Sequence, residues 1–306
     1  MNRMIWIGRK VSKPLAIVTA AGTGFYAMFT LCSPSELDTE LVEGQVLRRQ
    51  LFQPKLPYPL WDYNWDGKVT DDTDLHGQLQ GRGDVYGTVR HIILIRHGQY
   101  DESIGGTDGD SKDKYRVLTP LGRLQAEQVG KRLAILQRGI NDQFGPCPIQ
   151  IIRSSNMTRA KETAKIISQH LEGVPLAKPD PRLNEAFPAA IIPNRDLHDL
   201  ALRRDIDDHR GRAERAFRAY FHRGPQGPVD RHEVEIVVGH GNMIRYFVCR
   251  CLQLPPESWL RMSLFNGSIT YLVIRPSGFV AARCIGDIGH LNYDQSTFSM
   301  NNGFMW

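Results

Sequence analysis

No cysteine–cysteine or cysteine–histidine pair in this sequence has the close spacing that grips zinc. Cysteine is scarce altogether: Cys32, Cys147, Cys249, Cys251 and Cys284 are scattered and odd in number. At least one stays unpaired within the chain, which argues against a disulfide framework. Cys249-x-Cys251 falls in an apolar helical pattern and reads as buried thiols. A GxxxxGK[ST] loop is also missing, which removes nucleotide hydrolysis of the P-loop kind. The net charge is a modest +5, and several basic residues lie before residue 14 rather than in a stripe, so no nucleic-acid partner is expected. At 306 residues the chain is still long enough to bury a substantial core.

Charge is absent between Lys13 and Glu36. Residues 14–32, Pro14 to Cys32, run about the 20 residues that a spanning helix needs. Arg3, Arg9, Lys10 and Lys13 stand before the run and Glu36, Asp38 and Glu40 after it, which predicts an N-terminus held on the inner side. A membrane anchor over residues 1–35 is the expectation, with a cleaved secretory signal and a buried core helix as alternatives. The run is long for a signal and has no clear A-x-A site. The sequons Asn156-Met-Thr158 and Asn266-Gly-Ser268 would be open to glycosylation in a secretory lumen. A glycan on the first would obstruct residues assigned to chemistry below, which counts against secretion.

Residues 36–87 lack periodicity, are rich in Pro, Gly and Asp, and read as a linker. Asp62-Tyr-Asn-Trp-Asp-Gly67 fits the first half of a calcium-binding loop, but position twelve is Thr73, which cannot close the cage. Trp61 and Trp65 read as exposed tryptophans of a docking peptide, or as linker hydrophobes folded back on their own domain.

From about residue 88, strand and helix patterns alternate. Ile92–Ile95, Ile149–Ile152 and Val234–Val238 read as strands, and 121–136, 159–171, 212–222 and 243–252 as helices. Residues 268–274 and 279–284 form a hairpin around Pro276-Ser-Gly278. The pattern predicts an α/β, three-layer sandwich with a mostly parallel central sheet. Ligands collect beyond the carboxyl ends of such strands. Arg96-His97-Gly98, Arg153-Ser154-Ser155 and Gly239-His240-Gly241 follow the three strand ends.

Histidines, arginines and small residues make an anion site, whereas metal cages for phosphate hydrolysis gather several carboxylates, which the strand ends lack. Arginine's fork matches a phosphoryl group, and Gly98 would let the backbone approach it. His97 is then a nucleophile or a general base. Cys147 and Arg153 have the Cys-x5-Arg spacing of cysteine-dependent phosphatases, but Pro148–Ile152 is a strand and not a glycine-rich cradle.

Five blocks in order across about residues 90–285 resemble the histidine phosphatase superfamily, the phosphoglycerate-mutase fold. They are Leu94-Ile-Arg96-His97-Gly98, Leu118-Thr119-x-x-Gly122-x-x-Gln125-Ala126, Ser154-Ser155-x-x-x-Arg159-Ala160-x-x-Thr163-Ala164, Leu183-x-Glu185 and Gly239-His240-Gly241-x-x-Ile244-Arg245. The apolar N-terminus, Trp61-Asp-x-Asn-Trp-Asp66, and Ile244-Arg-Tyr246 through Pro255-Pro-Glu-x-Trp259-Leu-Arg261 with Asn266-Gly-Ser-Ile-Thr270 are similar to its mitochondrial, membrane-anchored serine/threonine-protein phosphatases.

The resemblance implies that His97 attacks phosphorus to give a phosphohistidine, while Arg96, Arg159 and His240 hold the phosphoryl oxygens. Glu185 would protonate the leaving hydroxyl and then activate water. It implies phosphoprotein substrates, no metal or other cofactor, and homo-oligomers built through Trp61, Asp62, Asn64, Trp65 and Asp66. A single pass through a mitochondrial membrane, outer or inner, is also implied. The expected organisation is an anchor (1–35), a linker carrying the WDxNWD motif (36–87), a histidine phosphatase domain (88–290) and a C-terminal tail (291–306). The alternatives are a small-molecule phosphatase or phosphoglycerate mutase, which has no use for the anchor, and a non-catalytic membrane scaffold. Intact Arg96, His97, Arg159, Glu185 and His240 argue against the scaffold. The loop 103–113 and the tail leave substrate choice open.

Overall fold

A nine-residue strand, β1 (Thr88–Arg96), forms the middle of a five-stranded sheet. The computed structural model describes residues 61–68, 87–103, 113–141, 145–192, 200–225, 227 and 231–299. With β2 (Ile149–Ser154), β3 (Arg231–Gly239), β4 (Ile269–Ile274) and β5 (Val280–Asp287), the order across the sheet is β2-β3-β1-β4-β5. β2, β3 and β1 run parallel, while β4 and β5 are the antiparallel hairpin foreseen from the sequence, so the sheet is mixed.

β1 is apolar throughout its middle because both of its faces are covered. Ile92 and Leu94 enter a cluster with Phe217 and Phe221 of α3 (Leu200–Tyr220 with its following residue) and Ile244 and Phe247 of α4 (Gly241–Cys251). Ile93 and Ile95 face the opposite way, against Val129 and Leu133 of α1 (Pro120–Arg138) and Ala160, Ala164 and Ile167 of α2 (Thr158–Ser168). Alternation along one strand therefore produces the three layers. Each fully buried isoleucine, leucine or valine among them contributes about 1.5–3 kcal/mol.

Helix starts follow local chemistry. Thr119 caps α1 by accepting a hydrogen bond from the Gly122 amide, and Pro120 supplies its first residue. α3 begins at Leu200, twelve positions before its expected start at 212; the charged run Arg203-Arg-Asp-Ile-Asp-Asp208 hides its apolar period.

The tryptophan motif corrects the picture of exposed aromatic anchors in a free linker. Trp65 is 5% exposed, donates its indole N–H to the Gly278 carbonyl at 2.8 Å, and packs against Phe217. Asp66 pairs with Arg223 at 3.0 Å, both side chains buried, and accepts the Arg223 backbone N–H at 2.7 Å. Trp61 lies half-buried against the same core. Asp62 exchanges hydrogen bonds with the Gln253 amide, and its carboxylate accepts the Asn64 N–H. Residues 61–68 thus belong to the surface of the sandwich.

Among the described residues no helix is long and apolar enough to cross a membrane. The expected anchor over 14–32, residue Thr73 and positions 104–112 of the 103–113 loop lie outside the described residues.

Candidate active site

Strand register assembles the site. Arg96 pairs with Gly239 and Ser154 with Val238, so the next residues, His97, Ser155 and His240, emerge together at the carboxyl rim. The ladder continues past the strands: the His97 amide donates to the Gly239 carbonyl and the Ser155 amide to the Val238 carbonyl, each at 3.0 Å.

His97 is 2% exposed. Its Nδ1–H donates to its neighbour's carbonyl, Gly98 O, at 2.7 Å. That contact assigns the proton, leaving Nε2 a lone pair, and Arg159 Nε–H donates to it at 3.2 Å. Burial, then Arg159 and Arg96, hold the His97 pKa well below the usual imidazole range. At neutral pH it is an uncharged ring with its free electron pair on the outer nitrogen, the form a nucleophile needs.

Gly98 has a packing reason of its own. A Cβ there would lie 2.3 Å from the Gly122 carbonyl oxygen, and a Cβ on Gly122 would lie 1.8 Å from the Gln99 carbonyl. The two glycines let the rim press against the first turn of α1. The Gly98 N–H is taken by Thr163 Oγ1 at 3.1 Å. Gly98 therefore makes room for the first turn of a helix.

The cations are held before any ligand arrives. Arg159, on the first turn of α2, lies 4.5 Å over the Tyr100 ring, and its terminal nitrogens reach Asp113 Oδ2 at 3.0 Å and Oδ1 at 3.2 Å. Arg96 donates its terminal nitrogens to the carbonyls of Leu264 and Phe298. Its Nε is also buried, with no partner among the described residues, and each terminal nitrogen keeps a second N–H beyond the one its carbonyl takes. Burial lowers its pKa to about 10, leaving it charged at neutral pH.

His240 is fully buried, with its ring 5.0 Å from that of His97. Nε2 contacts Ser155 Oγ at 2.8 Å, and Nδ1 has no partner among the described residues. Glu185 follows the short turn Pro181–Leu183, its backbone carbonyl accepting Arg212 Nη2 of α3 at 2.7 Å. Burial raises its carboxyl pKa, against the pull of amide hydrogen bonds and of Arg159 and Arg96. A neutral imidazole, two cations, a second imidazole and a carboxyl that resists ionisation converge here.

Residues 92–285 match the family model of the histidine phosphatase superfamily, branch 1. The chain belongs to this superfamily. Serine/threonine-protein phosphatase PGAM5, mitochondrial, of Rattus norvegicus is 42% identical over 263 residues, which span 78% of this chain and 81% of that one. The Caenorhabditis elegans protein of the same name is 37% identical over 260 residues, 81% of this chain and 84% of that one. Among solved structures, phosphoglycerate mutase from Plasmodium falciparum is 33% identical, with a TM-score of 0.44, covering 67% of this chain and 96% of that one.

In this histidine phosphatase, the five charged or titratable residues picked from the sequence, Arg96, His97, Arg159, Glu185 and His240, do come together. Arg153, left without a role, points elsewhere and pairs with Glu235 at 2.9 Å. Burial raises the Cys147 thiol pKa, the opposite of the shift that favours a cysteine nucleophile. Asp113, Asn184, Arg212 and the Phe298 carbonyl were not foreseen. Ser155 was visible in a motif but without a partner.

Proposed function

We propose that this histidine phosphatase removes phosphate from phosphoserine and phosphothreonine of proteins in the mitochondrion through a phosphohistidine on His97. The observation that carries the chemistry is the His97 ring, uncharged and with its Nε2 lone pair beside Arg159. The names of the curated relatives support the substrate class and compartment.

Nε2 attacks phosphorus; the N–P bond forms as the ester P–O bond breaks, and Glu185 gives its proton to the departing alkoxide. Water then donates a proton to the Glu185 carboxylate and its oxygen attacks phosphorus. Inorganic phosphate leaves with its new P–O bond, and His97 recovers its electron pair. Arg159, Arg96 Nε and His240 neutralise charge on the equatorial oxygens, which is where phosphoryl transfer needs help.

Membrane attachment through residues 14–32 and self-association through Trp61, Asp62, Asn64, Trp65 and Asp66 complete the proposal. The uncharged run before Glu36 supports the first. For the second, the seat made by Arg223, Gln253 and Gly278 is equally suited to the same segment of another copy, an exchange that gives oligomers without new chemistry.

The test is phosphate release by the full chain in detergent, wild type beside His97→Ala, on phosphoserine and phosphothreonine peptides and on glycerate phosphates. Peptide turnover lost in the variant, with an acid-labile phosphoenzyme in the wild type, is expected. Turnover of glycerate phosphates alone would replace this reading with the small-molecule one.

A further inference from the structure

Three hydrogen bonds around Ser155 decide where the proton on His240 sits. Asn184 Oδ1 accepts the Asn156 backbone N–H at 3.0 Å, which identifies that atom as the amide oxygen. Ser155 Oγ lies 2.9 Å from the same oxygen, so the hydroxyl's only hydrogen points to Asn184. The Met157 backbone N–H donates to Ser155 Oγ at 3.1 Å. His240 Nε2, 2.8 Å from that Oγ, can meet only its lone pair, and must carry the hydrogen.

The consequence falls on the other nitrogen. A neutral His240 with its hydrogen on Nε2 has a lone pair on Nδ1, the buried atom that no group among the described residues satisfies. A lone pair repels a phosphoryl oxygen. To hold that oxygen, Nδ1 must first gain a proton while Nε2 keeps its own.

We propose that Ser155 and Asn184 are positioning residues that lock the tautomer of His240, so that this ring takes up a proton each time a phosphoryl group binds. The inference rests on the phosphate-binding reading of the pocket. The empty pocket keeps the ring neutral, since it is fully buried and faces Arg159, His97, Arg96 and Arg212, with the Glu185 carboxyl also in the pocket. An arriving dianion reverses that balance. The pocket thereby gains a cation only when there is charge to oppose, and avoids holding one more positive group, buried and uncompensated, between turnovers.

The probe is tungstate, a phosphate-like dianion that does not itself titrate near neutrality. Calorimetric titration of the full chain at neutral pH in two buffers of different ionisation enthalpy reads the protons taken up. About one proton per tungstate is expected, with affinity falling about tenfold per pH unit above neutrality. In Ser155→Ala, and in Asn184→Ala where the freed hydroxyl can turn toward Nε2, His240 can place its hydrogen on Nδ1 without ionising. Both variants should bind tungstate with little proton uptake and a flattened pH dependence, and Ser155→Thr should restore both. Binding by the wild type without proton uptake overturns the proposal and leaves the phosphate site standing. So does uptake that persists unchanged in Ser155→Ala, since the proton is then received by His97 or Glu185. No tungstate binding at all would sink the phosphate site as well.

Discussion

Arg159 holds Asp113 as it would hold a phosphoryl group. Both terminal nitrogens of the guanidinium meet the two carboxylate oxygens, at 3.0 and 3.2 Å, with Arg116 supporting the same carboxylate at 3.1 Å. The planar fork fits either anion, so Asp113 and the substrate compete for one donor set.

Asp113→Asn keeps the size of the side chain and removes its charge. A charge-assisted hydrogen bond contributes about 1.5–3 kcal/mol, so freeing Arg159 should tighten inorganic phosphate or tungstate by about tenfold or more. Inhibition constants measure it directly. Weaker binding in the variant would mean that Asp113 orients Arg159 for the substrate instead of blocking it.

Glu185→Gln should slow transfer from a phosphoserine peptide by about 10²–10⁴-fold, while an aryl phosphate, whose leaving group needs no proton, is largely spared. The sign of the pH effect follows from the raised carboxyl pKa. The acid form acts in the first half-reaction, so formation of the phosphoenzyme is fastest below that pKa and slows as pH rises through it. Rapid-quench rates across the pH range would show the slope in the wild type and its loss in Glu185→Gln.

The Asp66–Arg223 pair is buried on both sides. Removing Asp66 alone takes the carboxylate from a buried guanidinium, and Asp66→Ala should cost about 3–5 kcal/mol of stability in chemical unfolding. Trp65→Ala, which empties a site lined by Phe217, should cost about as much. Near-wild-type unfolding in both variants would show that residues 61–68 leave this seat in solution.

The tail reaches the active centre through Phe298, whose carbonyl accepts Arg96 Nη2 at 2.8 Å and whose ring stacks on Phe265 at 3.9 Å. Ending the chain after Thr297 should leave Arg96 charged but loosely placed. A fall in kcat/KM of about tenfold is expected, equivalent to one lost charge-assisted contact, with the unfolding midpoint little changed. An unchanged kcat/KM in the shortened chain would show that Phe298 does not place Arg96 for the reaction.

Patterns within single elements were legible without coordinates. The apolar run Ile92–Ile95 announced a strand covered on both faces, Thr119-Pro120 announced a helix start, and three polar clusters after three strands announced the rim where Arg96, His97, Arg159, Glu185 and His240 meet. Such signals are local, because side-chain period and cap chemistry are decided within a few residues. Closure of the fold decided the rest. Gly98 stands against the carbonyl of Gly122, an approach that no local pattern announced. Trp65 was expected in a linker, yet its indole finds Gly278, 213 positions away. Arg96 meets a main-chain carbonyl 202 positions away, and a carbonyl carries no mark in the sequence. The amino-acid order by itself named the candidate residues and placed Arg96, His97 and His240 just where three-strand rim chemistry was expected, at the ends of β1 and β3. Only the tertiary structure settled which hydrogen points where, because a hydrogen bond depends on the meeting of distant groups within 3 Å or so and no local pattern records that meeting.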